Sequence, residues 1–122
     1  MKLCISSVGT DISSHVDPRF GRCPYFLRVD TETMAVEVFD NPAFTAGGGA
    51  GIQAAQAVVN KGADVLITGN VGPNAFQALQ AAGVKIVTGA KGPAKDIVER
   101  FKNGEFQYGN APTVGTHHGS GR

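Results

Sequence analysis

The chain has 122 residues, 11 Lys and Arg against 10 Asp and Glu, a formal net charge of +1, 17 Gly and no Trp. That length suits one domain and can bury a core without disulfide staples. The balanced charge, with no basic stripe, excludes a phosphate-backbone binder, and two Cys, at 4 and 23, make no disulfide framework. No apolar run is long enough to span a membrane, and the opening Met-Lys-Leu-Cys-Ile reads as a strand, not as a signal segment. The expectation is a cytoplasmic protein with no nucleic-acid or membrane partner, as a monomer or weak dimer.

Residues 2–8 read as a strand with Leu3, Ile5 and Val8 facing one core and Cys4 the other side. Residues 9–24 have no period and form a long loop of the kind that is usually functional. Residues 25–30 and 35–39 read as antiparallel strands joined by a tight connection. A bare stretch, Thr45–Gly51 (TAGGGAG), then runs into a helix over 51–61, with Ile52, Ala55, Val58 and Val59 as its apolar stripe.

Two related units follow. Val65–Ile67 and Val84–Val87 are strands, each followed by Thr-Gly-x-x-Gly-Pro (68–73 and 88–93) and a helix, to Ala82 and to about Lys102. Pro at a first helical position loses no hydrogen bond. Phe76, Leu79 and Ala82 form one stripe, and Ala94, Ile97, Val98 and Phe101 the other. Gly62, Gly83 and Gly104 stop the three helices. Residues 106–108 are either a short added strand or a packed end. The reading is one α/β domain over 1–108, three layers with a mixed sheet of about five strands, and a flexible tail over 109–122.

Four stretches carry the chemistry. Gly49–Ala54 matches G-x-G-x-x-A but does not close onto a strand, so a dinucleotide is not expected. Its residues Gly48, Gly49, Ala50 and Gly51 instead offer backbone N–H groups at a helix N-terminus, where an anion can sit. The turns with Gly69, Asn70 and Gly72, and with Lys91, add two more helix N-termini. Three converging ends make a stronger anion site than one. The loop 15–23 holds His15, Arg19, Arg22 and Cys23. Imidazole and thiolate suit Fe, Cu, Zn or a metal–sulfur cluster, and guanidinium groups offset an anionic one. Phe20 reads as a core anchor and Gly21 as a residue with an unusual backbone angle. Cys4 reads as core. His117 and His118 read as a loose metal-ligand pair or as incidental.

No enzyme constellation emerges. Asp11 and Asp17 lie near His15 without an identifiable nucleophile, and Asp30, Glu32, Glu37 and Asp40 read as solvated edge charges. Two competing classes are a small regulatory or scaffold domain binding a nucleotide or other anion, and a hydrolase or nuclease on the same sheet. The scatter of Asp11, Asp30 and Asp64 over different strand ends speaks against the second.

Taken together, Ser6–Asp11 (SSVGTD), Val16–Phe26 (VDPRFGRCPYF), Gly49–Ala55 (GAGIQAA), Gly62–Gly69 (GADVLITG) and Gly72–Leu79 (GPNAFQAL) resemble the dinitrogenase iron–molybdenum cofactor biosynthesis family over about residues 1–105. Phe20-Gly21-Arg22 and the Gly-Ala-Gly-Ile turn are the most specific parts. The resemblance implies a ribonuclease H-like three-layer domain that binds or carries iron–molybdenum–sulfur precursors, or a molybdenum–copper–sulfur cluster without covalent protein ligands. It implies no catalysis of its own, and cluster-donor or cluster-acceptor proteins as partners. The residues expected to bind the cluster are Thr10, Arg19, Phe20, Gly21, Arg22, Gly48, Gly49, Ala50, Gly51, Gly69, Asn70, Gly72 and Lys91, with His15 and Cys23 as metal ligands.

Overall fold

A computed structural model describes residues 1–45 and 48–113. His117 and His118, and two residues of the bare stretch, Ala46 and Gly47, lie outside the described residues. Five strands, β1 (Lys2–Ser7), β2 (Tyr25–Asp30), β3 (Val36–Asp40), β4 (Val65–Ile67) and β5 (Lys85–Val87), form one sheet in the order β3-β2-β1-β4-β5. β1 pairs antiparallel with β2 and parallel with β4, and β5 is parallel to β4, so the sheet is mixed. The helices are α1 (Ala50–Asn60), α2 (Pro73–Ala81) and α3 (Ala94–Lys102).

The period of two along each strand sorts the core into two halves. Cys4, Phe26, Leu66 and Ile86 face α1 and α2, with Phe20, Cys23, Ala54, Val58, Phe76 and Leu79. Leu3, Ile5, Leu27, Val29, Val65, Ile67 and Val87 face the other way, onto Ile97 and Val98 of α3. Two helices thus cover one face and one covers the other, giving three layers. Val8 departs from its expected place: β1 ends at Ser7, whose hydroxyl lies 2.8 Å from the Gly9 carbonyl, and the turning chain leaves Val8 51% exposed.

The helices stop at Gly62, Gly83 and Gly104 as expected. Arg28 of β2 adds a cation at the C-terminal end of α1, its Nε donating to the Lys61 carbonyl at 2.7 Å, where the helix leaves carbonyls unpaired. Residues 106–108 form no strand. Phe106 packs on the α3 side beneath Arg100, and Gly109 N–H donates to the Ile86 carbonyl at the free edge of β5. Thr113 N–H then donates to the Val71 carbonyl (3.0 Å), and Val71 N–H to Thr113 Oγ1 (2.9 Å).

The loop between β1 and β2 crosses the C-terminal ends of β1 and β4. Asp17 N–H donates to the Ser6 carbonyl (2.8 Å), and Ser6 Oγ lies 2.7 Å from the Asp17 carbonyl and 2.6 Å from Thr68 Oγ1. All three residues are buried. The next residue, Pro18, lies directly on Gly69: a Cβ at 69 would sit 2.6 Å from Pro18 Cα and 2.9 Å from its carbonyl oxygen. Both obstacles are backbone, so nothing yields cheaply. Gly69→Ala is expected to lower stability by about 2 kcal/mol, measured as a fall in the urea unfolding midpoint at unchanged slope.

Candidate functional site

A cleft of about 250 Å³ opens between the N-termini of α1 and α2. Three segments wall it: Phe20 and Gly21 from a 3-10 turn (Phe20–Arg22), Gly49 to Ile52 from α1, and Asn70 with Gly72 to Ala75 from α2. Of the residues expected in one site, Phe20, Gly21, Gly49, Ala50, Gly51, Asn70 and Gly72 line this cleft together. Ile52, Pro73, Asn74 and Ala75 are additions. Ile52 was expected in the buried stripe of α1, but that stripe is Ala50, Ala54, Ala55 and Val58, and Ile52 is 41% exposed at the cleft mouth.

The glycines have geometric reasons. Gly49, the residue before α1, sits at φ 73°, a left-handed conformation that a side chain disfavours. A Cβ on Gly51 would lie 3.3 Å from Ala75 Cβ, and one on Gly21 would lie 3.3 Å from Gly51 N. Gly21 therefore answers to close approach and not, as expected, to an unusual backbone angle; its φ is not positive. The same close packing leaves the first turns of both helices bare at the cleft. The N–H groups of Ala50, Gly51, Ile52, Asn74 and Ala75 find no acceptor among the described residues, since the first intrahelical bonds begin at Gln53 and Phe76.

The third helix N-terminus does not join them. α3 lies on the opposite face, and the loop 12–16 occupies its end: Ala94 and Lys95 N–H donate to the carbonyls of Ser14 and Ile12, both at 2.8 Å. The two Thr-Gly-x-x-Gly-Pro turns also differ in shape. Pro73 begins α2, whereas Pro93 precedes α3 as its cap and Gly92 sits at φ 101°. Lys91 and His15 belong to this other side. His15 bridges Pro93 through its backbone and its side chain is exposed. Thr10 and Gly48 are exposed and outside the cleft lining, and Gly69 is buried beneath Pro18.

The loop's charged residues also settle outside the lining. Arg19 folds back on Asp17, Nε to Oδ1 and NH2 to Oδ2, each at 3.2 Å, and the Asp17 side chain is 1% exposed. Arg19 is thereby committed to holding the loop; its backbone bridges Asn70, whose N–H donates to the Pro18 carbonyl at 2.9 Å. Arg22 ends the 3-10 turn and is exposed. No lining residue carries a charge.

Cys23 is fully buried in the half-core of α1 and α2, and its thiol donates to the Phe20 carbonyl at 3.3 Å. Burial, and then the Asp17 carboxylate, push it up to about 12. Metal ligation needs a thiolate, and His15 is on the other face of the sheet, so the structure does not bring the expected pair together. Among the described residues, no three His, Cys, Asp or Glu side chains converge on a point that would hold a metal ion. Cys4 is also raised to about 12, chiefly by burial. Both thiols stay protonated in the fold, while exposed thiols ionise near pH 9.0. Their contribution to stability is complete below about pH 9 and is lost as pH rises toward 12. Native protein at pH 8 is expected to react with a thiol reagent far more slowly than the urea-unfolded chain, and its urea midpoint is expected to fall from pH 9 upward.

Comparison with known proteins gives this chain a family. The apo form of the orange protein from Desulfovibrio gigas has the same fold, with a TM-score of 0.90 and 43% identity over 93% of this chain and 96% of that one. An NMR structure of a NifB-like protein from Thermotoga gives a TM-score of 0.76 and 41% identity over 88% and 91% of the two chains. An uncharacterised protein of Methanocaldococcus jannaschii is 24% identical over 98 residues, 78% of this chain and 83% of the relative. The sequence model of the dinitrogenase iron-molybdenum cofactor family matches residues 1–104, and the chain belongs to that family.

Proposed function

We propose that this protein binds and carries an anionic metal–sulfur cluster, of the Fe–Mo–S or Mo–Cu–S kind, in the cleft between α1 and α2, and does no chemistry on it. The observation that carries this reading is the composition of the cleft: bare N–H donors from two helix N-termini, apolar surface from Phe20, Ile52, Pro73 and Ala75, and no ionisable side chain. Helix N-termini favour negative charge. A hard oxyanion would lose its water there with no cation to compensate. A thioanion is larger and more weakly hydrated, and it gains from both the N–H groups and the apolar wall. The lining holds no nucleophile paired with a base, which fits carriage by a domain that meets cluster-donor and cluster-acceptor proteins in the cytoplasm. Asn70 and Asn74 add side-chain amides at the rim.

The test is anaerobic titration with tetrathiomolybdate, with and without Cu(I), followed by gel filtration and metal analysis. Metal is expected to elute with the protein, with molybdate, sulfate, phosphate and ATP at least roughly tenfold weaker as competitors. Elution of metal-free protein, or equal competition by molybdate, would sink the reading. Ile52→Glu supplies a second check. A carboxylate in the first turn of α1 suits the helix end, so stability is expected to hold or rise, while affinity for the thioanion falls about tenfold or more.

A further inference from the structure

We propose that Asn41 is the positioning residue of this cleft, a single buried amide that ties the Phe20–Gly21 wall to Ala43 and Phe44. The inference rests on the reading of the cleft as the binding site. Asn41 is 3% exposed and lies just beyond β3, outside the lining itself.

Every polar group of the residue is used, and they reach to both sides. Its Nδ2 donates to the Cys23 carbonyl at 2.8 Å, with the Gly21 carbonyl at 3.4 Å and Cys23 Sγ at 3.7 Å. Its backbone N–H donates to the Pro24 carbonyl at 3.0 Å. On the other side, its Oδ1 accepts from Ala43 N–H at 2.9 Å and its carbonyl accepts from Phe44 N–H at 3.0 Å. The 3-10 turn has one internal bond, Arg22 N–H to the Arg19 carbonyl, and residues 43–45 belong to no helix or strand. The clamp matters because the tolerances are small: Gly21 rides on the Gly51 backbone, where a Cβ would make a tight 3.3 Å approach to Gly51 N. A displaced 3-10 turn would therefore bear directly on the Gly51 backbone at the cleft.

Aspartate has the size of asparagine but, when ionised, offers the Gly21 and Cys23 carbonyls only acceptors. Protonation restores one donor. Asn41→Asp is therefore expected to displace the amide NMR signals of Gly21, Gly49 and Gly51 at neutral pH, and to return them toward wild-type positions as pH falls. Asn41→Ala is expected to displace the same signals at every pH and to weaken tetrathiomolybdate binding about tenfold, the scale of a lost buried hydrogen bond to an orphaned carbonyl. Val98→Ala, a buried truncation on the opposite face, supplies a destabilised control and is expected to change neither readout. Should Asn41→Ala fail to fold, the pH response of Asn41→Asp decides alone. Glycine signals unmoved in a folded Asn41 variant, or an equal loss of affinity in Val98→Ala, would overturn the proposal. Failure of the wild-type protein to bind tetrathiomolybdate would overturn the thioanion reading instead, with the glycine signals still deciding the clamp.

Discussion

The structure depends on one crossing. The loop after β1 must pass over the C-terminal ends of β1 and β4 without leaving buried backbone groups unpaired. Ser6, Thr68 and the Asp17 main chain meet that demand in a buried polar knot, and Gly69 lets Pro18 settle onto the sheet edge. Because the loop is held there, Arg19 is drawn against Asn70, and Phe20 and Gly21 are delivered to the N-terminal turn of α1. The cleft is a result of this seating. Its walls come from three separate stretches, and the seated loop supplies the Phe20–Gly21 wall against the directly packed first turns of α1 and α2.

One pair of charges in the loop serves the same task. Arg19 neutralises Asp17, which the crossing has buried. What remains at the cleft is polarised but not ionised. Such a surface differs from a cationic pocket in its response to salt: fields from helix ends act over about one turn, within a Debye length at ordinary ionic strength. If the cleft binds the proposed thioanion, selectivity would follow from how much water a guest must shed, more than from its net charge.

Much of this was legible in the chain. Alternation at Leu3, Cys4 and Ile5 assigned two faces to β1, and the three stop glycines bounded the helices, because period and punctuation are local properties. The lining of the cleft was legible only where a residue's own backbone makes it, as at Gly49 and Gly51. The expectation for Lys91 failed because two like turns in sequence say nothing of whether neighbouring carbonyls already occupy the helix end, as Ser14 and Ile12 do for α3. His15 and Cys23 were grouped by proximity along the chain, but the chain passes from one face of the sheet to the other between them. Asn41 gave no sign at all. An Asn before a Pro reads as a turn residue, and its partners at Gly21 and Cys23 are distant in sequence.

The protonated state of the two cysteines has a consequence for assembly. Domains that ligate metal through thiolates are commonly folded only when loaded, because the free sites repel or cannot close. Here the surroundings of the cleft are tied together by amide, hydroxyl and backbone bonds, and the buried thiols act as apolar filling, with Cys23 adding one weak bond. On the proposed reading, shape and cargo would be uncoupled: a guest would be held without a sulfur–metal bond from either cysteine, and its departure would leave nothing to be refolded.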